Sequence, residues 1–234
     1  LLLAKGADVN TQGGKYGNAL QAAAYCGLDY IIDLLIAYGA HVNANGGKYG
    51  NALQAAAYGA KSSGLNTMSR LITYGADVNQ QGGVYGNALQ AASYGLGIRA
   101  SDRVQLLLDH GADVNAQGGS HGSALQAAVF SKGGLKVARV LLRSGVDVNA
   151  PGGQYGNALR AAVIYDCQEI VQLLLAHGAR VDPPDGHWEE LLESVRYQVN
   201  GDCAAARLEK LQEEHGERSR SGAPFISGIV GINY

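Results

Sequence analysis

The sequence predicts an all-α solenoid with projecting loops or short β-hairpins. Three observations point there. The segment GGKYGNALQAAAY at residues 13–25 recurs letter for letter at 46–58. A second phrase recurs as GADVN at 6–10, GAHVN at 39–43, GADVN at 75–79 and 111–115, GVDVN at 145–149 and GARVD at 178–182, with offsets of 33, 36, 36, 34 and 33 residues. Between these phrases each unit offers a short alanine-rich segment and a longer one with an apolar side. A period near 33 is the mark of stacked supersecondary units. One such unit cannot hide its own apolar face, so neighbours must stack into a continuous interior. The alanines at 22–24 and 55–57 fit that need. They let one unit's first helix approach the next, where a larger side chain would overpack at about 1–3 kcal/mol.

The elements follow in order. Residues 1–10 read as the tail of an earlier unit, and the opening LLLAKGADVN, which lacks a methionine, reads as part of something longer. Five regular units start near residues 11, 44, 80, 116 and 150. In the first, Asn18 is an N-cap for a helix from Ala19 to Tyr25. Gly27 breaks that helix. A second helix is expected over 28–38, with Ile31, Ile32, Leu34 and Leu35 on one broad apolar side. Gly39 caps its C-terminus, and HVNANGGKYG follows as a turn-rich loop with Gly46 and Gly47 at its bend. The connections 59–65 and 95–101 each carry about three extra residues, and 131–134 carries one. Residues 183–214 read as a degenerate capping unit, with Trp188 at the tyrosine position, Leu192 at the leucine of YGNAL and Tyr197 at the place of Tyr25. Its last helix, CAAARLEKLQEEHG, is more polar, as a terminal repeat needs. The solenoid is thus expected over 1–214. Residues 215–234 form a C-terminal tail, glycine- and serine-rich at first and apolar at its end, so either free or folded back on the stack.

These units resemble ankyrin repeats, in which a projecting loop or hairpin precedes two antiparallel helices and a closing GADVN. Where that family writes TPLHxAA, this chain writes NALQAA. Asn18, Asn51, Asn87, Ser123 and Asn157 stand for the capping threonine; Gln21, Gln54, Gln90 and Gln126, with Arg160 in the fifth unit, stand for the histidine. Tyr16, Tyr49, Tyr85, His121 and Tyr155 occupy the hairpin-glycine position, and the glycines of the loop sit earlier. The GGxYGNALQAA wording is similar to arrays common in filamentous fungi, many of them downstream of a NACHT-type nucleotide-binding domain. The resemblance implies a non-catalytic protein–protein interaction module in a larger intracellular, cytoplasmic protein. Its partner would be another protein or a neighbouring domain of the same chain. A passive spacer within a multidomain receptor or enzyme is the alternative. The isolated chain is expected to be a monomer.

Composition narrows the classes. A formal net charge of −2 offers no basic footprint for nucleic acid, and no apolar run is long enough to span a bilayer. Cys26, Cys167 and Cys203 are odd in number and far apart, which argues against a disulfide scaffold and for a reducing compartment. His41, His110, His121, His177, His187 and His215 show no metal-ligand spacing, so no cofactor or metal is expected. HWEE at 187–190 lacks the order of a zinc-protease motif. Ser123 beside His121 occupies the helix-cap slot. Asp8, Asp77, Asp113 and Asp147 lie in register one per unit, which capping or loop hydrogen bonding explains better than catalysis.

The candidate surface comes from the 13 tyrosines. One aromatic column is Tyr16, Tyr49, Tyr85, His121, Tyr155 and Trp188, expected to stack from loop to loop. The other is Tyr25, Tyr58, Tyr94, Phe130, Ile164 and Tyr197, at the end of each first helix; packing and partner contact both fit it. The resemblance places that region on a concave groove. Loop positions that change while the frame repeats are the specificity candidates: Lys15, Lys48, Val84, Ser120 and Gln154, beside Gln12, Asn45, Gln81, Gln117 and Pro151. Gln21, Gln54, Gln90 and Gln126 are expected to tie one unit's loop to the next through their amides.

Overall fold

The residue before each ALQAA segment starts a helix. The computed structural model describes residues 3–59, 64–95 and 99–180, and the expected sixth unit, with Trp188 and Tyr197, and the tail lie outside them. Asn18, Asn51 and Asn87 are extended, and each side-chain oxygen accepts the backbone N–H of the glutamine three residues on, at 2.8 Å. Ser123 does the same at 3.2 Å. The first helices so begun are α1 (Ala19–Cys26), α3 (Ala52–Tyr58), α5 (Ala88–Tyr94), α7 (Ala124–Val129) and α9 (Ala158–Ile164). The second helices are α2 (Asp29–Ala37), α4 (Gly64–Thr73), α6 (Ala100–Asp109), α8 (Gly134–Arg143) and α10 (Gln168–Ala176). A single 3-10 turn, Leu3–Lys5, precedes them.

The chain divides into two units after Ala158. In the first, α1 packs on α3, α3 on α5 and α5 on α7; the second helices follow in the same order, α2 on α4, α4 on α6 and α6 on α8. The expected stack of helix pairs with a shared interior is therefore present. Ala55, Ala56 and Ala57 are buried between first helices, as are Ala91 and Ala92. Leucines 20, 53, 89 and 125, with Ile32, Met68, Val104 and Leu141, fill the space between the two helix rows. In the second unit, α9 turns into α10 through Asp166, at φ 56°. The Cys167 N–H donates to the Ala162 carbonyl at 2.9 Å, and Ile170 and Leu174 are the buried residues of α10.

Two local expectations change, and the loops settle between two alternatives. Tyr38 takes the C-cap of α2, and Gly39 follows it at φ 85° because the chain must turn left-handed there. The apolar side of α2 is narrower than expected: Ile32 and Leu35 are buried, while Ile31 and Leu34 stay 38% and 36% exposed. In later units the position of Ile31 is taken by Thr67, Arg103 and Val137, all buried against the helix pair before them. The loops form no strand among the described residues. Each instead closes on one antiparallel bridge, Gly13 with Gly17, Gly46 with Gly50, Gly82 with Gly86 and Gly118 with Gly122.

Candidate interaction surface

Glycine sets how closely one loop lies on the next. The Gly46 N–H donates to the Gly50 carbonyl at 2.7 Å, pinching the loop shut. Gly50 has φ 87°, and a Cβ there would meet the Gln54 oxygen, with Gly82 C at 2.7 Å and Gly83 N at 2.8 Å. A Cβ on Gly47 would strike the backbone of Tyr16 and Gly17. Each GG pair therefore rests against the YG pair of the loop before it, backbone on backbone. The same contact recurs between Gly83 and Tyr49 and between Gly119 and Tyr85. At that separation the loop tips hydrogen-bond to one another: Lys48 N–H to Lys15 carbonyl at 3.0 Å, Val84 N–H to Lys48 carbonyl at 3.0 Å and Ser120 N–H to Val84 carbonyl at 2.9 Å.

Two amide ladders hold this edge from behind. The Gln21 amide donates to the carbonyls of Ala44 and Gly50 at 2.9 and 3.1 Å. Gln54 reaches Gln80 and Gly86 at 2.9 and 3.2 Å. Gln90 reaches Ala116 and Gly122 at 3.2 and 3.0 Å, and Gln126 reaches Gly152 at 2.9 Å. This is the expected tie between units, made by side chains with almost no exposure. The second ladder went unread in the sequence. Asn10 donates to the Gly39 carbonyl at 3.0 Å and accepts from His41 N–H at 2.9 Å. Asn43 and Asn79 repeat both contacts on the next units, and the Asn115 oxygen accepts the Asp147 N–H at 2.7 Å. Asp8, Asp77, Asp113 and Asp147 each accept the N–H two residues on at 2.9 Å, the loop role expected of them.

The two aromatic columns merge into one. Rings run Tyr16, Tyr25, Tyr49, Tyr58, Tyr85, Tyr94, His121, Phe130 and Tyr155, with each ring near the next at 4.6–5.8 Å between centroids. Loop rings and helix-end rings interleave because each loop folds over the end of the first helix beside it. Such tilted and stacked pairs each contribute about 0.5–1.5 kcal/mol beyond area burial. Tyr49 and Tyr85 are only 2% and 4% exposed. Burial first, and then a hydrogen bond with Tyr25 or Tyr58, pushes their hydroxyls well above the ordinary phenol range, so they stay neutral. Burial also pulls His121 below the usual imidazole value.

The candidate residues fall in two sets. Lys15, Lys48, Val84, Ser120 and Gln154 are exposed at the loop tips. Tyr25, Tyr58, Tyr94 and Phe130 are half-buried within the ring ladder, one edge outward. The ammonium groups of Lys15 and Lys48 lie 5.7 and 5.9 Å from the ring centres of Tyr16 and Tyr49.

The match to known families agrees with this geometry. A model of ankyrin repeats (3 copies) matches residues 53–152 and 89–185, together over half of the chain. The chain belongs to the ankyrin repeat family. No curated protein matches it. Ankyrin repeats are generally protein–protein interaction modules, and their fold is typically non-catalytic. Among the described residues of this ankyrin chain, no histidine, cysteine, aspartate or glutamate cluster could hold a metal. No helix among them is long and apolar enough to cross a membrane.

Arg103 carries no mark in the repeat pattern. It stands in a column otherwise apolar or small, yet its guanidinium is buried and donates to the carbonyls of Ala57, at 2.8 Å, and Gly59. Those carbonyls end α3, where a cation is favoured by the helix dipole. Burial lowers the Arg103 pKa from its ordinary value. On the second helices, Arg70 pairs with both oxygens of Asp33 at 2.8 and 2.7 Å, and the Tyr74 hydroxyl donates to Asp33 at 2.7 Å. The Tyr74 hydrogen bond, then Arg70, holds the Asp33 carboxyl below its usual value.

Proposed function

We propose that this chain is a non-catalytic recognition module whose partner-facing edge is the row of loop tips backed by the aromatic ladder. One observation carries the reading. Lys15, Lys48, Val84 and Ser120 are locked into a single row by backbone hydrogen bonds, yet their side chains are exposed and change from lysine to valine to serine along it. A frame that repeats while its presented side chains vary is what a selective surface needs. Tyr25, Tyr58, Tyr94 and Phe130 add rigid aromatic area at small entropic cost. The partner is another protein or a neighbouring domain of the same polypeptide. The wording GGxYGNALQAA supports a place in a fungal-type multidomain protein of the NACHT class, and three cysteines, odd in number and far apart in the sequence, support an intracellular setting.

A spacer is the second reading, favoured by the near-identity of the first units and by the packing of the tyrosines. Peptide display against the whole chain separates the two. On the recognition reading, selected ligands shift the amides of the loop tips. Replacing Lys15, Lys48, Val84, Ser120 and Gln154 together with alanine then removes binding while melting stays within about 1 °C, because exposed substitutions cost little. Ligands that bind only the second helices, or that survive the five-fold replacement, would favour the spacer.

A further inference from the structure

The ring ladder that backs the loop tips has a measurable step, which the tips share because each stands next to a ring of the ladder in sequence. Equivalent rings in successive units lie 5.9 Å (Tyr16 to Tyr49), 6.2 Å (Tyr49 to Tyr85), 6.3 Å (Tyr25 to Tyr58) and 6.1 Å (Tyr58 to Tyr94) apart. An extended chain places same-face side chains two residues apart, at about 6.4–6.8 Å. The two spacings differ by about half an ångström per step. An extended segment lying along the row would therefore keep every second residue over successive units for three or four steps. A helix comes as near in spacing, at about 5.4–6 Å between same-face residues, but its same-face stripe winds round the axis and leaves a straight row within a few turns.

Charge then breaks the symmetry of the row. The first two loops carry Lys15 and Lys48 against a single carboxylate, Asp8. The next three carry Asp77, Asp113 and Asp147, and their tips are Val84, Ser120 and Gln154. Lys15 and Lys48 are exposed and enter no ion pair among the described residues. A repeating frame alone would let a bound segment slip by one unit. A cationic end on a row whose other tips are neutral opposes the slip, because moving an acidic side chain one or two loops along trades a lysine for a neutral tip.

We propose that this edge binds an extended segment of a partner protein carrying Glu-x-Glu. Its two carboxylates sit on Lys15 and Lys48, and the next alternate residue, an apolar one, sits on Val84. This rests on the recognition reading above and adds the partner's chemistry and register to it. The third position is apolar because Val84 is the exposed aliphatic tip, at 44%. The partner's acidic end thus lies over the first unit.

The test uses the whole chain, isotope-labelled, and a fluorescein-tagged peptide Glu-Ser-Glu-Ser-Val-Ser-Thr-Ser. A control peptide has the same composition with its glutamates adjacent. The expected result is amide shifts at Lys15, Lys48 and Val84, with anisotropy binding weakened about three- to tenfold by K15Q/K48Q and by raised salt. Adding V84K/S120K to that pair should move the shifts to the third and fourth loops. Equal binding of the two peptides, wild-type affinity in K15Q/K48Q, or shifts that do not move would overturn the proposal. So would inorganic polyphosphate or single-stranded RNA displacing the peptide at lower concentration, which would assign the lysines to phosphate. Peptides from display that are neutral but still shift the loop tips would sink the charge code and leave the recognition reading standing. Ligands that never touch the row would end both.

Discussion

Replacing Gln54 with leucine tests whether the amide ladder holds the units together. Leucine keeps the shape of the side chain and removes its polar end. The Gln54 amide donates to Gln80 and Gly86 carbonyls at 2.9 and 3.2 Å, so two hydrogen bonds are lost, each contributing about 1 kcal/mol net. The Gly86 carbonyl keeps the Gly82 N–H at 2.7 Å. The half-buried Gln80 carbonyl is left short of a donor, at about 1 kcal/mol, the low end for such a group. One term runs the other way. The Gln54 side-chain oxygen is buried without a donor, so its removal returns about 1 kcal/mol. The net loss is about 2 kcal/mol, or roughly 4–8 °C in melting for a chain of this size. Urea denaturation followed by circular dichroism should show it. Hydrogen exchange at Gly82 and Gly86 should speed up before exchange in α1, because the damage sits at one junction of a nearest-neighbour array. Gln105 is the control: it is exposed and donates only to Asp109 on its own helix, so Gln105→Leu should be near neutral. Equal stability of Q54L and Q105L would refute the reasoning.

Gly50→Ala should cost about 2 kcal/mol or more, since it combines a left-handed backbone with a Cβ pressed on Gly82 and Gly83; Gly13→Ala, with open space and no positive φ, should cost under about 1 kcal/mol in the same denaturation series. Tyr58→Leu breaks ring pairs with Tyr25, Tyr49, Tyr85 and Tyr94 and should cost about 1.5–3 kcal/mol, read by thermal melting. His121 is neutral when folded because burial lowers its pKa from 6.5. The unfolded chain therefore binds the extra proton first. Stability should be full above about pH 6.5 and fall as pH drops below it, and His121→Tyr, which restores the residue of the other units, should flatten that slope in melts between pH 7.5 and 5.

Much of the frame was legible because the chain repeats it. A glutamine standing at one place in four alanine-rich helices has few uses besides reaching across to a neighbour, and it does that. The asparagine of GADVN was harder to read, since an asparagine in a turn is explained locally without looking one unit ahead. The aromatic columns stood nine residues apart in sequence, and only the fold of the loop over the helix end brings Tyr16 to 5.0 Å from Tyr25. Nothing in the pattern marked Arg103, whose partners are backbone carbonyls more than 40 residues away. The broad apolar side expected of α2 was read from α2 alone, whereas the burial at the place of Ile31 depends on the preceding helix pair.

The long-range glutamine and asparagine contacts almost all end on main-chain atoms of the following unit, and the loops meet through glycine. The polar part of such a junction asks its neighbour only for glycine and main-chain atoms. Duplicating or deleting one whole copy would keep those contacts, because each copy brings the same glycines and carbonyls. Array length and the residues at the loop tips can then change while the loop frame stays the same.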